Sequence, residues 1–257
     1  MLFHKILILC LIVMPAFLHG SELLSPDLQR ENMIYQQNLS EIFEGEQKFV
    51  EYKYGKYSIL EIFDDENDSA VLYLHGRGLN PNEQNLANPM RIEMSVVYNT
   101  YSIQLPVLKK NSTYYEYVNI FYDSDERIKS AIRYILKNNR KLTIIAHSCG
   151  VHMLMSYIRN YNLSPEVEAL VLIGSGAVDK GQKLLYQYPY NKISVPILDL
   201  FGENDFHLVL QESRSRKELI KGTSKKSRQI EIKSSNHYHD DNSQEVIEIV
   251  KKWLSHR

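Results

Sequence analysis

The sequence predicts an α/β fold: a mostly parallel, doubly wound sheet with helices on both faces and an N-terminal antiparallel hairpin. Three observations carry that prediction. From Ala70 onward, short apolar runs alternate with segments of helical period, the pattern of parallel strands joined by crossover helices. Runs such as Leu142-Thr143-Ile144-Ile145-Ala146 are nearly all apolar, as strands buried on both faces must be. Ahead of them, residues 49–63 alternate in polarity around Tyr54-Gly55-Lys56, a turn signal between two antiparallel strands.

Taken in order, residues 28–43 are read as a helix from Leu28, Met33, Ile34 and Leu39, and residues 49–63 as the hairpin. Residues 70–74 (AVLYL) form a buried strand, 83–98 a helix, and 100–105 (TYSIQL) a strand closed by Pro106. Residues 123–137 make a stronger helix: Asp123 caps it, Glu126 follows three residues on, and Ile128, Ile132, Ile135 and Leu136 share a face. Strands at 142–146, 168–173, 195–201 and 229–233 follow. Helices are expected from 151, over 211–221, and over 241–255, where Val246, Ile249, Val250 and Trp253 align.

Composition bounds what such a fold can do. The 257 residues are 44% hydrophobic and 24% charged, an ordinary globular balance. A net charge of −1 leaves no electrostatic footprint for nucleic acid, and the basic cluster at 217–228 reads as a solvated helix and turn. Residues 1–20 have the layout of a secretory signal, with Lys5 ahead of an apolar run and a short segment ending at Gly20. The expectation is a signal peptide at 1–20 and a single domain at 21–257, periplasmic or secreted, with no stable membrane span after cleavage. An uncleaved anchor is the alternative, because Leu18 is large for its place near the cut. Cys149 is the one cysteine beyond that segment, so no intramolecular disulfide is expected.

The candidate chemistry gathers at 147–150. Between a strand and a helix stand only His147-Ser148-Cys149-Gly150, so the corner residue must take a strained conformation among small neighbours. That corner is Ser148. A serine hydroxyl needs a base within hydrogen-bond reach, a group that orients the base, and donors for an oxyanion. In a doubly wound sheet these belong at the C-terminal ends of strands. Asp205 is the candidate acid, four residues past its strand; Glu203 competes in the same loop, and Asp199 lies within the strand. His237 is the candidate base, four residues past the 229–233 strand, and its rival His239 is expected to be a surface histidine. His237-Tyr238-His239 with two following acids is too sparse for a metal site, so no metal is expected. His75-Gly76-Arg77-Gly78 ends the 70–74 strand, and the backbone N–H groups of Arg77 and Cys149 are the candidate oxyanion donors. His75 and His147 are read as loop-orienting residues, and the Arg77 side chain as a contact for a substrate anion or for a surface acid. Cys149 lies one residue past the corner and is expected to point away from the cleft as a small buried hydrophobe.

The chain order Ser148, Asp205, His237, each after its own strand and preceded by a strand–H-G-x-G, resembles the α/β-hydrolase superfamily from about residue 49 to the end. More narrowly, LYLHGRGLNPN (72–82) with SIQLPVL (102–108) is similar to an exported bacterial branch of that superfamily, of largely unassigned function. The resemblance implies an α/β-hydrolase fold with Ser148 as nucleophile, Asp205 as acid and His237 as base. Two positions depart from the usual pattern: Ala146 stands where the first glycine of the turn is common, and Cys149 is bulkier than the usual neighbour.

On this reading the chain is a serine hydrolase that cleaves a carboxylic ester, or a related acyl bond, through an acyl-enzyme. Its partner is a small-molecule acyl substrate, and no cofactor is expected. A peptidase or amidase would use the same residues. The alternative class is a non-catalytic cell-envelope or binding protein that keeps the fold. Two tyrosine-rich connections, 111–122 and 177–192, would border the site. Their tyrosines are expected as half-buried rim packing, and the second connection is short for a lid.

Overall fold

The structure, a computed structural model, describes residues 24–256. The expected signal segment at 1–20 lies outside the described residues. The elements run α1 (Leu28–Leu39), β1 (Glu46–Tyr52), β2 (Gly55–Ile62), β3 (Ser69–Leu74), α2 (Ala87–Met94), β4 (Asn99–Ile103), α3 (Tyr114–Val118) and α4 (Phe121–Ile135). They continue with β5 (Lys141–His147), α5 (Cys149–Asn160), β6 (Val167–Ile173), β7 (Ile197–Asn204), α6 (His207–Gln211), α7 (Ser213–Lys221), β8 (Arg228–Asn236) and α8 (Ser243–Ser255).

The strands form one sheet in the order β1-β2-β4-β3-β5-β6-β7-β8. β1 and β2 pair antiparallel and turn where Tyr52 faces Gly55, as the hairpin signal predicts. β2 also runs antiparallel to β4, and every pairing from β4 to β8 is parallel. The chain lays β4 on one side of β3, then crosses back to lay β5 on the other. Such a reversal opens a crevice beyond the C-terminal ends of β3 and β5, the place where open α/β sheets take their ligands.

Alternation along the strands builds a core on each face. Leu72, Leu74, Ile144 and Leu170 face one way, against Ile128 and Ile132 of α4 and Leu154 and Ile158 of α5. Val71, Tyr73, Ile145 and Val171 face the other, against Met90 and Met94 of α2 and Val246 and Val250 of α8. Apolar side chains at successive positions are thus divided between two helical layers, which is why these strands read as continuous runs.

Element ends differ from the sequence reading for identifiable reasons. The helix expected at 83–98 is confined to α2, because the Glu83 carboxylate accepts the backbone N–H groups of Asn85, Leu86 and Ala87 and holds that stretch as a turn. Asp123 is not a cap: α4 begins at Phe121, and the Asp123 carboxylate is taken by Arg127 Nε at 2.7 Å and the Tyr52 hydroxyl at 2.9 Å. A buried guanidinium needs that charge, and Glu31 supplies a second carboxylate at 2.9 Å. The helix expected at 211–221 is α7, from Ser213, and a further short helix, α6, precedes it, the two separated at Glu212. β7 and β8 run on to Asn204 and Asn236, so Asp205 and His237 follow their strands directly.

α1 straps the loops at the C-terminal ends of β3 and β4. Asp27 caps it by accepting from Arg30 N at 3.0 Å, and the Asp27 backbone N–H donates to Val107 O at 2.7 Å. Arg30 donates to Gly78 O at 3.0 Å and also to Leu108 O. Asn38 reaches Asn80, and Glu31 accepts from Val107 N.

Candidate active site

Ser148 sits between β5 and α5 at φ 53° and ψ −118°, a left-handed conformation that a non-glycine residue adopts only under constraint. Its backbone is fixed on both sides: Ser148 N–H donates to Ile173 O at 2.8 Å, and Ser148 O accepts from Val151 N at 3.0 Å. The turn leaves no room two residues on. A Cβ at Gly150 would lie 2.4 Å from Leu74 O and 2.7 Å from His75 O, so only glycine lets α5 start this close to β3. Ala146, by contrast, is buried in the core with Leu74 and Leu172 as its neighbours in register, and its methyl group is accommodated.

The three residues separated by 57 and 32 positions in sequence meet at the ends of β5, β7 and β8. Ser148 Oγ is 2.8 Å from His237 Nε2, and His237 Nδ1 is 2.6 Å from Asp205 Oδ1. A carboxylate can only accept, so Nδ1 carries the proton and Nε2 is left to take one from the serine. Asp205 is held in turn by the backbone N–H groups of Phe206 at 2.7 Å and Gly202 at 3.3 Å. Burial alone would raise its carboxyl. The hydrogen bond and charge of His237, with those two amides, outweigh burial and keep it below the ordinary carboxylate range. Asp205 therefore stays ionised beside His237.

The 75–78 loop lies against the serine, with Gly76 packed on Ser148 Cβ and on His147. Leu105 N–H donates to His75 Nε2 at 3.0 Å, which places the His75 proton on Nδ1, where it donates to Gly76 O at 2.8 Å. Across a trans peptide the N–H points opposite to the C=O, so this bond also sets the direction of the Arg77 N–H, away from His75. Cys149 N–H is the first of α5 and has no carbonyl one turn back to bond. His147 donates Nε2–H to the backbone carbonyl of His237 at 3.1 Å. Burial pulls both histidines down, to about 4 for His75 and about 3 for His147, so each is a neutral, fixed hydrogen-bonding group rather than a proton carrier.

The other expected participants fall into place around this arrangement. Glu203 is exposed and bonded to Ser234 N and Lys233, outside the site. Asp199 is buried within β7 and held by Arg216 and Gln229. Cys149 is buried in the core, and burial raises its thiol to about 12. His239 corrects the expectation of a surface residue: it is buried, its Nδ1 bonds Ser235 Oγ at 2.7 Å, and burial lowers it to about 4. β8 runs three residues further than its apolar pattern does, which carries His239 inward. The rim tyrosines serve as ties: Tyr114 accepts from Leu185 N, Tyr115 from Lys183 N, and Tyr188 from Gly176 N. Among the described residues, no group of three or more His, Cys, Asp or Glu is placed to hold a metal ion.

Of the two contacts expected for the Arg77 side chain, the structure shows the acid, and two features escaped the sequence reading: the identity of that acid and the place of Phe206. Arg77 forks onto Asp179 at 2.6 and 2.7 Å, and Asp179 also accepts from Tyr114 N, so one carboxylate ties the 75–78 loop to the connections before α4 and after β6. Phe206 lies flat on the His237 ring, centroids 4.0 Å apart at 20°. Asp179 has no local signature, and Phe206 has only its place directly after Asp205.

The sequence matches no family model and no curated protein. Solved structures do resemble the chain. The Bacillus subtilis carboxylesterase CesB shares 15% identity over 88% of this chain and 97% of its own, with a TM-score of 0.61. The naproxen esterase of Bacillus subtilis shares 14% over 90% and 99%, at 0.63. The Pyrococcus furiosus esterase Pf2001 shares 16% over 85% and 94%, at 0.64. Identities this low speak to architecture alone, and that architecture is the α/β-hydrolase fold.

Proposed function

We propose that this chain is a serine hydrolase of carboxylic esters acting through an acyl-enzyme on Ser148. The observation that carries the proposal is the continuous run of hydrogen bonds from Ser148 through His237 to Asp205, with the serine on a strained corner. In the first half-reaction Ser148 Oγ attacks the acyl carbon while its proton passes to His237 Nε2. The carbonyl oxygen becomes an oxyanion that accepts from the Arg77 and Cys149 N–H groups, a contribution of about 10²–10³ in rate per donor. The C–O bond to the alcohol then breaks, and His237 returns the proton to the departing oxygen. Water, activated by the same imidazole, repeats the sequence on the acyl-enzyme and frees Ser148. Asp205 holds the tautomer throughout and stabilises the imidazolium.

An ester is favoured over an amide because the three solved structures described above are esterases. The exported location expected from residues 1–20 belongs to the same proposal. A fluorophosphonate probe on the purified protein tests the core of it: wild type is expected to be labelled and Ser148→Ala is not. Labelling that survives Ser148→Ala, or none in the wild type, would rule the proposal out.

A further inference from the structure

In the proposed reaction His237 Nε2 hands its proton to the departing oxygen, so the leaving group is the part of the substrate nearest the base. Whatever borders His237 on its open side therefore borders the leaving group. His237 is itself only 2% exposed. Its inner side meets Asp205, Gly174 and the ring of His147, whose centroid is 5.3 Å away. Its outer side meets two aromatic rings. Phe206 lies flat on the imidazole, and Tyr238 stands edge-on to it at 5.2 Å and 76°. Tyr238 is also edge-on to Phe206, at 6.1 Å and 85°.

Both rings keep large exposed surfaces, 37% for Phe206 and 45% for Tyr238, and Ser148 beside them is partly open too. Since one face of Phe206 is spent on the imidazole, its exposure belongs to the other face and the rim. The two rings make an open, right-angled aromatic corner directly over the base. Their placement is not loose: the Phe206 backbone holds Asp205, and Tyr238 N–H donates to Asn236 Oδ1 at 3.0 Å.

We propose that the Phe206–Tyr238 corner is the leaving-group subsite and that it takes the aromatic portion of an arylalkyl alcohol. This rests on the ester-hydrolase reading. A flat ring fits there by offset stacking on Phe206 with its edge toward Tyr238, geometries in which aromatic pairs gain beyond simple area burial. A saturated ring of equal size is thicker and lacks the quadrupole, so it gains burial alone.

The test compares kcat/KM for 2-phenylethyl acetate and 2-cyclohexylethyl acetate, esters with the same acyl group and similar leaving oxygens. Wild type is expected to favour the phenyl ester by about 2- to 10-fold. Phe206→Leu and Tyr238→Leu are each expected to bring the ratio close to 1. Because the ratio is taken within one protein, any effect of Phe206→Leu on the base itself cancels. Equal rates on the two esters in the wild type, or a preference that survives both substitutions, would overturn the subsite while leaving the hydrolase reading intact. A protein that neither takes the fluorophosphonate label at Ser148 nor turns over either ester would overturn both.

Discussion

Replacing Gly174 with alanine is expected to damage the base without unfolding the protein. Gly174 follows β6 at φ +64°, and a Cβ there would sit 2.7 Å from His237 Cε1 and 3.0 Å from Nδ1, where ordinary contact begins at 3.4 Å. The imidazole must retreat by about 0.7 Å. That is enough to stretch the 2.6 Å bond to Asp205 or the 2.8 Å bond to Ser148 past useful geometry. A misplacement of about 1 Å costs on the order of 10²-fold, so kcat/KM for p-nitrophenyl acetate is expected to fall roughly 30- to 100-fold. The backbone penalty for alanine in the left-handed region is about 1–2 kcal/mol, a drop of a few degrees in Tm. Gly176→Ala separates the two effects. Its φ is +89°, the strain is similar, and a Cβ there meets nothing within 4 Å. Gly176→Ala should lose similar stability and change kcat/KM by less than about threefold. Equal rates in the two variants would refute the argument that Gly174 is required for room beside the base.

His237→Ala should abolish turnover and His239→Ala should not; the reverse result in an esterase assay would move the base to His239. Asp179→Asn should cut kcat/KM by roughly fivefold by unpinning Arg77, and stability by about 1 kcal/mol, since the pair is about a third exposed; full activity would separate that ion pair from the oxyanion loop. Acid should destabilise the fold before most of the carboxylates titrate. Burial keeps His75, His147, His152 and His239 neutral, at about 4, 3, 4 and 4, whereas the unfolded chain protonates them near 6.5. Between those values the unfolded state binds more protons, so stability present above pH 6.5 is lost as pH falls toward 4. Asp125, raised to about 6 by burial, works in the opposite direction and offsets about one of the four. The net slope near pH 5 is at most about 4 kcal/mol per pH unit, and a urea midpoint that is flat from pH 7 to 5 would contradict it.

The sheet and its corner were legible because their causes are local. Apolar runs at 70–74 and 142–146 can be buried only between helices, and a strand that passes to a helix across Ser148 alone puts the strain on that residue. The three residues that meet at the strand ends followed from chain order, because each strand end delivers its loop to the same crevice. Causes that act at long range left no such trace. Asp123 looked like a cap, but Arg127, itself answering Glu31 nearly a hundred residues away, claims it for an ion pair. His237 and His239 have almost the same sequence surroundings. The turn after β8, where His239 takes φ 54° and donates its N–H to Asn236 O, separates the one that meets Ser148 from the one bonded to Ser235. The pairing of Arg77 with Asp179 spans 102 residues and is written in no periodicity.

The α1 strap has a mechanical consequence. Gly78, the last residue of the 75–78 loop, has its carbonyl held by Arg30, and the same guanidinium grips Leu108 O beyond β4. The helix adds no residue to the two apolar cores, but its Glu31 pairs with the buried Arg127, so the strap contributes both alignment and cohesion. Arg30 makes α1 a lever on the 75–78 loop. A displacement of α1 reaches the Gly78 backbone through Arg30, and the loop beyond β4 through Arg30, Asp27 and Glu31. In a chain shortened to begin at β1, the hold on Gly78 and Leu108 would be lost, and the buried Arg127 would keep Asp123 but lose Glu31.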